Sequence, residues 1–143
     1  MLAKRKSGPL CTAETECVLV VQCKIDGESV SVKDGITILQ AAQSVGIDIP
    51  AICHDDRFRP NGTCRMCLVE IQGRDGLVTA CQTPVQQGNW ITTRNSELEA
   101  YRKTELSWYA ARVAPREFDS FPDKLLHRLM RQYDVAPTGR STP

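Results

Sequence analysis

CVLVVQCKIDGESVSVKDGITILQAAQSVG, residues 17–46, decides the fold. Its first nine residues are rich in β-branched side chains and read as a strand. Asp26-Gly27 follows, a strong signal for a two-residue hairpin. Residues 28–32, Glu-Ser-Val-Ser-Val, alternate polar and apolar, which is the period of a half-buried strand. After a turn at Lys33-Asp34-Gly35, the residues Ile36, Leu39, Ala42 and Val45 recur at helical spacing. Thr37 is placed to cap that helix and Gly46 to end it. A tight hairpin running into one helix is the opening of a β-grasp, an α+β architecture.

Beyond the helix, residues 49–64 hold Pro50, Pro60 and Asn61-Gly62, which break regular structure. Residues 66–71 read as a strand, 73–76 as a turn, 77–81 as a strand pairing back, and 89–93 as a last short strand. The composition shifts after Arg94. A helix is expected from Ser96 to about Arg112, stopped by Pro115. A second is expected from Asp119 or Ser120 to Tyr133, with Pro122 in its first turn and Leu125, Leu129 and Met130 as a narrow apolar stripe. The chain thus divides into a flexible tail (1–16), a β-grasp domain (17–95), a C-terminal helical extension (96–135) and a tail disordered by composition (136–143).

The bulk composition excludes several functions. The chain has 143 residues, enough for one domain and an appendage, with 18 basic against 17 acidic side chains. That balance gives no support for nucleic-acid binding, which favours a basic excess. No apolar run approaches the ~20 residues that a spanning helix needs. The basic Lys4-Arg5-Lys6 is followed by no apolar region or cleavage site of a leader, so a cytoplasmic protein is expected.

The seven cysteines carry the chemistry. An odd count in a chain of this length does not suit a secreted disulfide scaffold, and clustered thiols in a reducing compartment are more often metal ligands. Cys53, Cys64, Cys67 and Cys81 are spaced C-x10-C-x2-C-x13-C. Each iron of a 2Fe–2S centre takes two bridging sulfides and two protein ligands, so four thiolates complete it. Cys64 and Cys67 share one short loop, Cys53 lies earlier on the same irregular segment, and the hairpin returns Cys81 beside Cys67. Gly62 allows the backbone to approach closely with positive φ, so that amides face the sulfurs and offset their charge. A structural zinc site is the competing reading, although zinc sites usually pair two short knuckles and only one occurs here.

The runs Cys64-Arg-Met-Cys-Leu-Val-Glu70 and Ala80-Cys-Gln-Thr-Pro-Val85, with Ile49-Pro-Ala-Ile-Cys-His54 before them, resemble a known family. They are similar to the N-terminal 2Fe–2S domain of the large iron–sulfur subunit of respiratory complex I. The same module occurs in iron-only hydrogenases, NAD-reducing hydrogenases and NAD-dependent formate dehydrogenases. The resemblance spans roughly residues 18–109 and implies a ferredoxin-like β-grasp with Cys53, Cys64, Cys67 and Cys81 as ligands of one 2Fe–2S cluster. The larger relatives continue into a His-and-Cys motif for a 4Fe–4S cluster, whereas no cysteine follows Cys81 here.

The resemblance implies a non-catalytic electron-transfer subunit of a multi-subunit oxidoreductase such as a formate dehydrogenase or hydrogenase. Its partners would be flavin-, 4Fe–4S- or metal-containing subunits. A freestanding ferredoxin and a zinc-stabilised interaction module are the alternatives. His54 is expected near the cluster at the surface, and His127 as a solvated side chain. Arg57 and Arg59 offer weak signals for an acidic partner. Cys11, Cys17 and Cys23 have no fourth partner and read as buried or incidental thiols. Trp108, Tyr109, Phe118 and Phe121 place apolar surface outside the β-grasp core, either packed back on it or docked on a partner, and docking is the favoured expectation.

Overall fold

The structure, a computed structural model, describes residues 19–139. Residues 1–18, which take in the expected N-terminal tail with Cys11 and also Cys17, and residues 140–143 lie outside the described residues. The hairpin forms as its sequence requires. Strands β1 (Val20–Ile25) and β2 (Glu28–Lys33) pair antiparallel with Ile25 opposite Glu28, which leaves Asp26-Gly27 as a two-residue turn. Both turn residues adopt positive φ, +50° and +90°. That is the geometry matching the right-handed twist of the flanking strands. Alternation places Cys23, Ile25, Val30 and Val32 in the core and their neighbours outward.

Helix α1 (Ile38–Ser44) starts at Thr37 in a reciprocal cap: the Gln40 amide donates to Thr37 Oγ1 at 3.2 Å, and the Thr37 amide to Gln40 Oε1 at 3.0 Å. Three further strands follow, β3 (Leu68–Ile71), β4 (Val78–Thr79) and β5 (Trp90–Thr92). The sheet order is β2-β1-β5-β3-β4, with β1 and β5 parallel and the other pairs antiparallel. This mixed sheet with α1 across its apolar face is the β-grasp. Its core joins Ile25, Ile38, Leu39, Val69 and Ile91, and it includes Cys67 and Cys81.

Strand β4 is shorter than the expected 77–81. The chain turns at Ala80, whose carbonyl accepts the Leu39 amide at 3.0 Å, and the Thr83 carbonyl accepts the Ile38 amide at 2.9 Å. The amides at the start of α1, which have no partner within the helix, are thus satisfied by the segment carrying Cys81.

Helix α2 (Ser96–Ala110) begins at Asn95, whose Oδ1 accepts the Leu98 amide at 2.8 Å and whose Nδ2 donates to Glu70 Oε2 of β3 at 3.0 Å. Pro115 is where the sequence reading expects a stop. It is instead the first residue of a short helix, α3 (Pro115–Ser120), because proline suits the first helical position, where no amide partner is needed. Phe121 and Pro122 separate α3 from α4 (Leu125–Gln132), so the single expected helix from 119 to 133 is two elements. In α4 the stripe also differs. His127, Leu129 and Met130 are buried, while Leu125 is exposed.

These helices pack back on the domain, contrary to the expectation that docking elsewhere is their main role. Leu106, Ala110, Val113, Leu129, Met130 and Tyr133 form a second core together with Cys64 and Met66 of the β-grasp. Residues 136–139 are tied to the same helices: the Thr138 and Gly139 amides donate to the Ala110 carbonyl at 2.9 and 3.1 Å. His127, expected in solvent, is buried with Nδ1 2.8 Å from the Phe121 carbonyl oxygen, so it braces the α3–α4 corner.

Candidate metal centre

The four cysteines of the C-x10-C-x2-C-x13-C pattern come together where the two cores meet. Cys67 and Cys81 belong to the β-grasp core, and Cys64 to the core under the helices, with Cys53 packed against it. Cys64, Cys67 and Cys81 are buried and Cys53 is half-buried. The thiols meet as two pairs, Cys53 with Cys64 and Cys67 with Cys81, each within hydrogen-bonding reach.

Local backbone geometry sets this up. Asn61 Oδ1 accepts from the Thr63 amide at 3.1 Å and from Thr63 Oγ1 at 2.9 Å, closing a turn before Cys64. Gly62 has φ +65°, and a Cβ there would run into the Gln82 side chain, whose Nε2 donates to the Pro60 carbonyl at 3.1 Å. Arg65, between Cys64 and Cys67, takes φ +54°, a left-handed conformation uncommon for a side chain of this size. Such backbone is held only where its surroundings over-determine it. The amides of Thr63 and Cys64 face the Cys53 sulfur, and those of Met66, Cys53 and Ile52 face the Cys64 sulfur.

The electrostatics follow from that geometry. Burial pushes the Cys53 thiol up, but hydrogen bonds from the amides and side chains of Cys64 and Thr63 more than reverse this and hold it below the usual thiol range. Burial raises the Cys64 thiol despite its amide donors. Burial, with the neighbouring Cys67 side chain next, pushes Cys81 up to about 12. Bare thiolates are therefore unfavourable at Cys64 and Cys81. A bound cation would supply the compensating charge, since a coordinating thiol is deprotonated outright.

The donor set fits a two-iron cluster. All four donors are sulfur, and they arrive two and two, as a pair of irons with two protein ligands each requires. The amides aimed at the sulfurs are the hydrogen-bond donors that tune such a centre.

The sequence reading placed the cysteines but missed two neighbours. Arg102, on α2, is fully buried beside the cysteine loop. Its one sequence signal is its position in the series Leu98, Arg102, Leu106, Ala110, all buried and spaced by four. Tyr109 is the second. Burial, with the Cys64 thiol next, raises its hydroxyl above the usual range, which places the ring on the Cys64 side of the site. Of the residues weighed earlier, His54 is mostly covered rather than open, and its Nε2 lies 3.1 Å from Asp56 Oδ1. Arg57 is paired with Asp55 at 2.6 Å, which uses its charge locally. Cys23 is buried on β1 in the same apolar core as Cys67 and Cys81, and burial is the one cause that raises its thiol.

Comparison with known proteins agrees with this geometry. The family model described as a 2Fe-2S iron-sulfur cluster binding domain matches residues 19–96. The NADPH-Fe(3+) oxidoreductase subunit alpha of Geobacter sulfurreducens is 43% identical over 84 residues, covering 59% of this chain and 10% of that protein. The NADH-ubiquinone oxidoreductase 75 kDa subunit of Reclinomonas americana is 40% identical over 89 residues, 62% of this chain and 13% of that protein. A chain in the crystal structure of NAD+-reducing [NiFe]-hydrogenase in the H2-reduced state superposes with a TM-score of 0.73 at 25% identity, covering 86% of this chain and 55% of that one. The chain thus spans a small fraction of the length of the relatives it matches in sequence.

Proposed function

The chain belongs to the family of 2Fe-2S iron-sulfur cluster binding domains, and from that premise we propose that it works as the electron-transfer subunit of a multi-subunit oxidoreductase. Among its relatives are named subunits of oxidoreductases acting on NADPH and Fe(3+) or on NADH and ubiquinone. The observation that carries the reading is the meeting of four thiols in two sheltered pairs, with backbone amides directed at the sulfurs.

In this reading Cys53, Cys64, Cys67 and Cys81 would hold the cluster, the first two meeting as one pair and the last two as the other. When bound, the cluster supplies a centre that takes and returns a single electron. The chain does the rest. Its thiolates fix the irons, its amides offset the negative charge that grows on reduction, and its two cores limit water around the sulfurs. Cys53 has the least cover of the four and marks the edge at which an exchange partner comes nearest. The chain performs no bond chemistry, so any substrate conversion belongs to a neighbouring flavin-, 4Fe–4S- or metal-containing subunit.

Trp108 and Phe121 remain exposed after the helices have packed, and we assign that apolar surface to a neighbouring subunit. No helix among the described residues is long and apolar enough to cross a membrane. The cluster of thiols favours a reducing compartment, the cytoplasm.

The test is anaerobic reconstitution with iron and sulfide, followed by reductive titration. The expected result is a red-brown protein that takes up one electron per chain reversibly and loses this on Cys64→Ser or Cys81→Ser. A colourless protein that binds zinc and takes up no electron would overturn the reading in favour of a zinc-stabilised interaction module.

A further inference from the structure

Arg102 is the most deeply buried charged side chain among the described residues, with no accessible surface. Four of its five N–H donors are used. Nε donates to the Met66 carbonyl at 3.1 Å, and Nη2 to the carbonyls of Leu68 and Thr93 at 2.9 Å each. Nη1 donates to Glu99 Oε1 at 2.9 Å. Met66 and Leu68 are the residues on either side of Cys67. Met66 also supplies one of the amides that face the Cys64 sulfur. One planar group on α2 therefore clamps both ends of the peptide segment that presents Cys67, and it joins that segment to the end of β5 through Thr93.

The three carbonyls explain why donors stand at this position, since an apolar side chain would leave them unpaired, but they do not require a full positive charge to be removed from water. Glu99 offsets that cost only in part. It is shared with Arg94, whose Nη1 lies 3.1 Å from the same Oε1, and it is itself partly exposed. Arg102, buried beside the cysteine loop, is therefore only partly neutralised by Glu99. Reduction of a thiolate-held cluster adds negative charge, and a fixed cation in a poorly polarisable interior favours the state carrying more of it.

We propose that Arg102 is a positioning residue of the iron–sulfur centre, which orients Cys67 through the Met66 and Leu68 carbonyls and raises the reduction potential through its buried charge. This rests on the cluster assignment made above. It also gives the helical extension, which lies beyond the matched residues 19–96, a part in the redox site itself.

The experiment compares Arg102→Met, Arg102→Lys and Glu99→Gln in the full chain. Redox titration of the reconstituted proteins should show Arg102→Met reduced less readily by about tenfold in equilibrium constant, a fall of about 59 mV for a one-electron couple. Glu99→Gln should shift the other way. Arg102→Lys, which keeps charge but not the fork, should hold its potential near the parent's and lose iron faster. In the protein without cluster, amide exchange over residues 64–69 should quicken in both Arg102 variants and not in Glu99→Gln. Opposite shifts for Arg102→Met and Glu99→Gln support the proposal, whereas no shift or shifts of one sign overturn it. If Arg102→Met retains no cluster, a raised potential in Glu99→Gln with an unchanged one in Arg102→Lys supports it, and an unchanged Glu99→Gln overturns it. A parent protein that takes up no iron and sulfide would instead defeat the cluster assignment. The amide-exchange comparison then decides the positioning role alone, and unchanged exchange in the Arg102 variants overturns it.

Discussion

Gly62 faces Gln82 so closely that a side-chain carbon on the glycine would collide with the glutamine amide. The contact joins the loop before Cys64 to the residue after Cys81, so two distant parts of the sequence fix the spacing of the thiols. It also gives Gly62 two separate reasons to be glycine, the close approach and its φ of +65°.

Gly62→Ala should therefore cost about 1–3 kcal/mol, the range for a residue forced into sparsely populated backbone. Gln82→Ala in the same chain should relieve the collision but not the backbone strain, leaving recovery incomplete. Denaturant unfolding of the protein without cluster reads the first effect, and iron retained per chain reads the second. A Gly62→Ala protein as stable as the parent would contradict this account of the loop.

Leu106→Ala should be the most damaging single truncation in the helical extension. Leu106 is fully buried in the core that contains Cys64 and Met66. Large-to-small changes at such sites cost about 2–5 kcal/mol. Because this core supports the cysteine loop, the variant should also release iron faster on incubation with a chelator. Loss of stability with iron release unchanged would show that the extension does not brace the site.

Trp108→Ala offers the contrast. The ring is 72% exposed on α2. Truncation should change the stability of the isolated chain by less than about 0.5 kcal/mol. It should weaken recovery of neighbouring subunits when the chain is isolated from its native complex under mild conditions. Full recovery of the complex would remove this face from the assembly.

Cys23, outside the C-x10-C-x2-C-x13-C pattern, provides a pH test. Its thiol is buried on β1, and that burial raises it above its ordinary value of 9.0. The folded protein therefore keeps this proton where the unfolded chain has already lost it. The contribution to stability is whole below pH 9 and is lost as pH rises above that value toward the folded one. Cys23→Ala should be less stable overall but should lose less stability than the parent between neutral and alkaline pH. Parallel pH profiles for the two proteins would contradict the burial of this thiol.

Much of this fold was legible because its signals are local. Asp26-Gly27 between alternating strands specifies a hairpin, and Thr37 ahead of a helical apolar period marks a helix start. The four cysteines stood out as candidate ligands for a similar reason, since their spacing is uncommon outside metal sites. What escaped depends on contacts between distant residues. An arginine in a helix reads as solvated, and only three carbonyls from two other segments make a buried Arg102 stable. His127 was misread likewise, because its partner is the Phe121 carbonyl at a corner the sequence does not announce. Pro115 was ambiguous on its own terms, since proline both ends helices and begins them. The early end of β4 came from α1, whose first amides take the carbonyl of Ala80 and, just beyond the expected strand, that of Thr83.

The most direct measurement is the content of iron, acid-labile sulfide and zinc per polypeptide in the purified, anaerobically handled chain. A 2Fe–2S centre on Cys53, Cys64, Cys67 and Cys81 predicts two irons and two sulfides with no stoichiometric zinc. It also predicts that both fall together when Cys64 and Cys81 are changed to serine. One zinc per chain without labile sulfide, or iron that survives the double change, would contradict it.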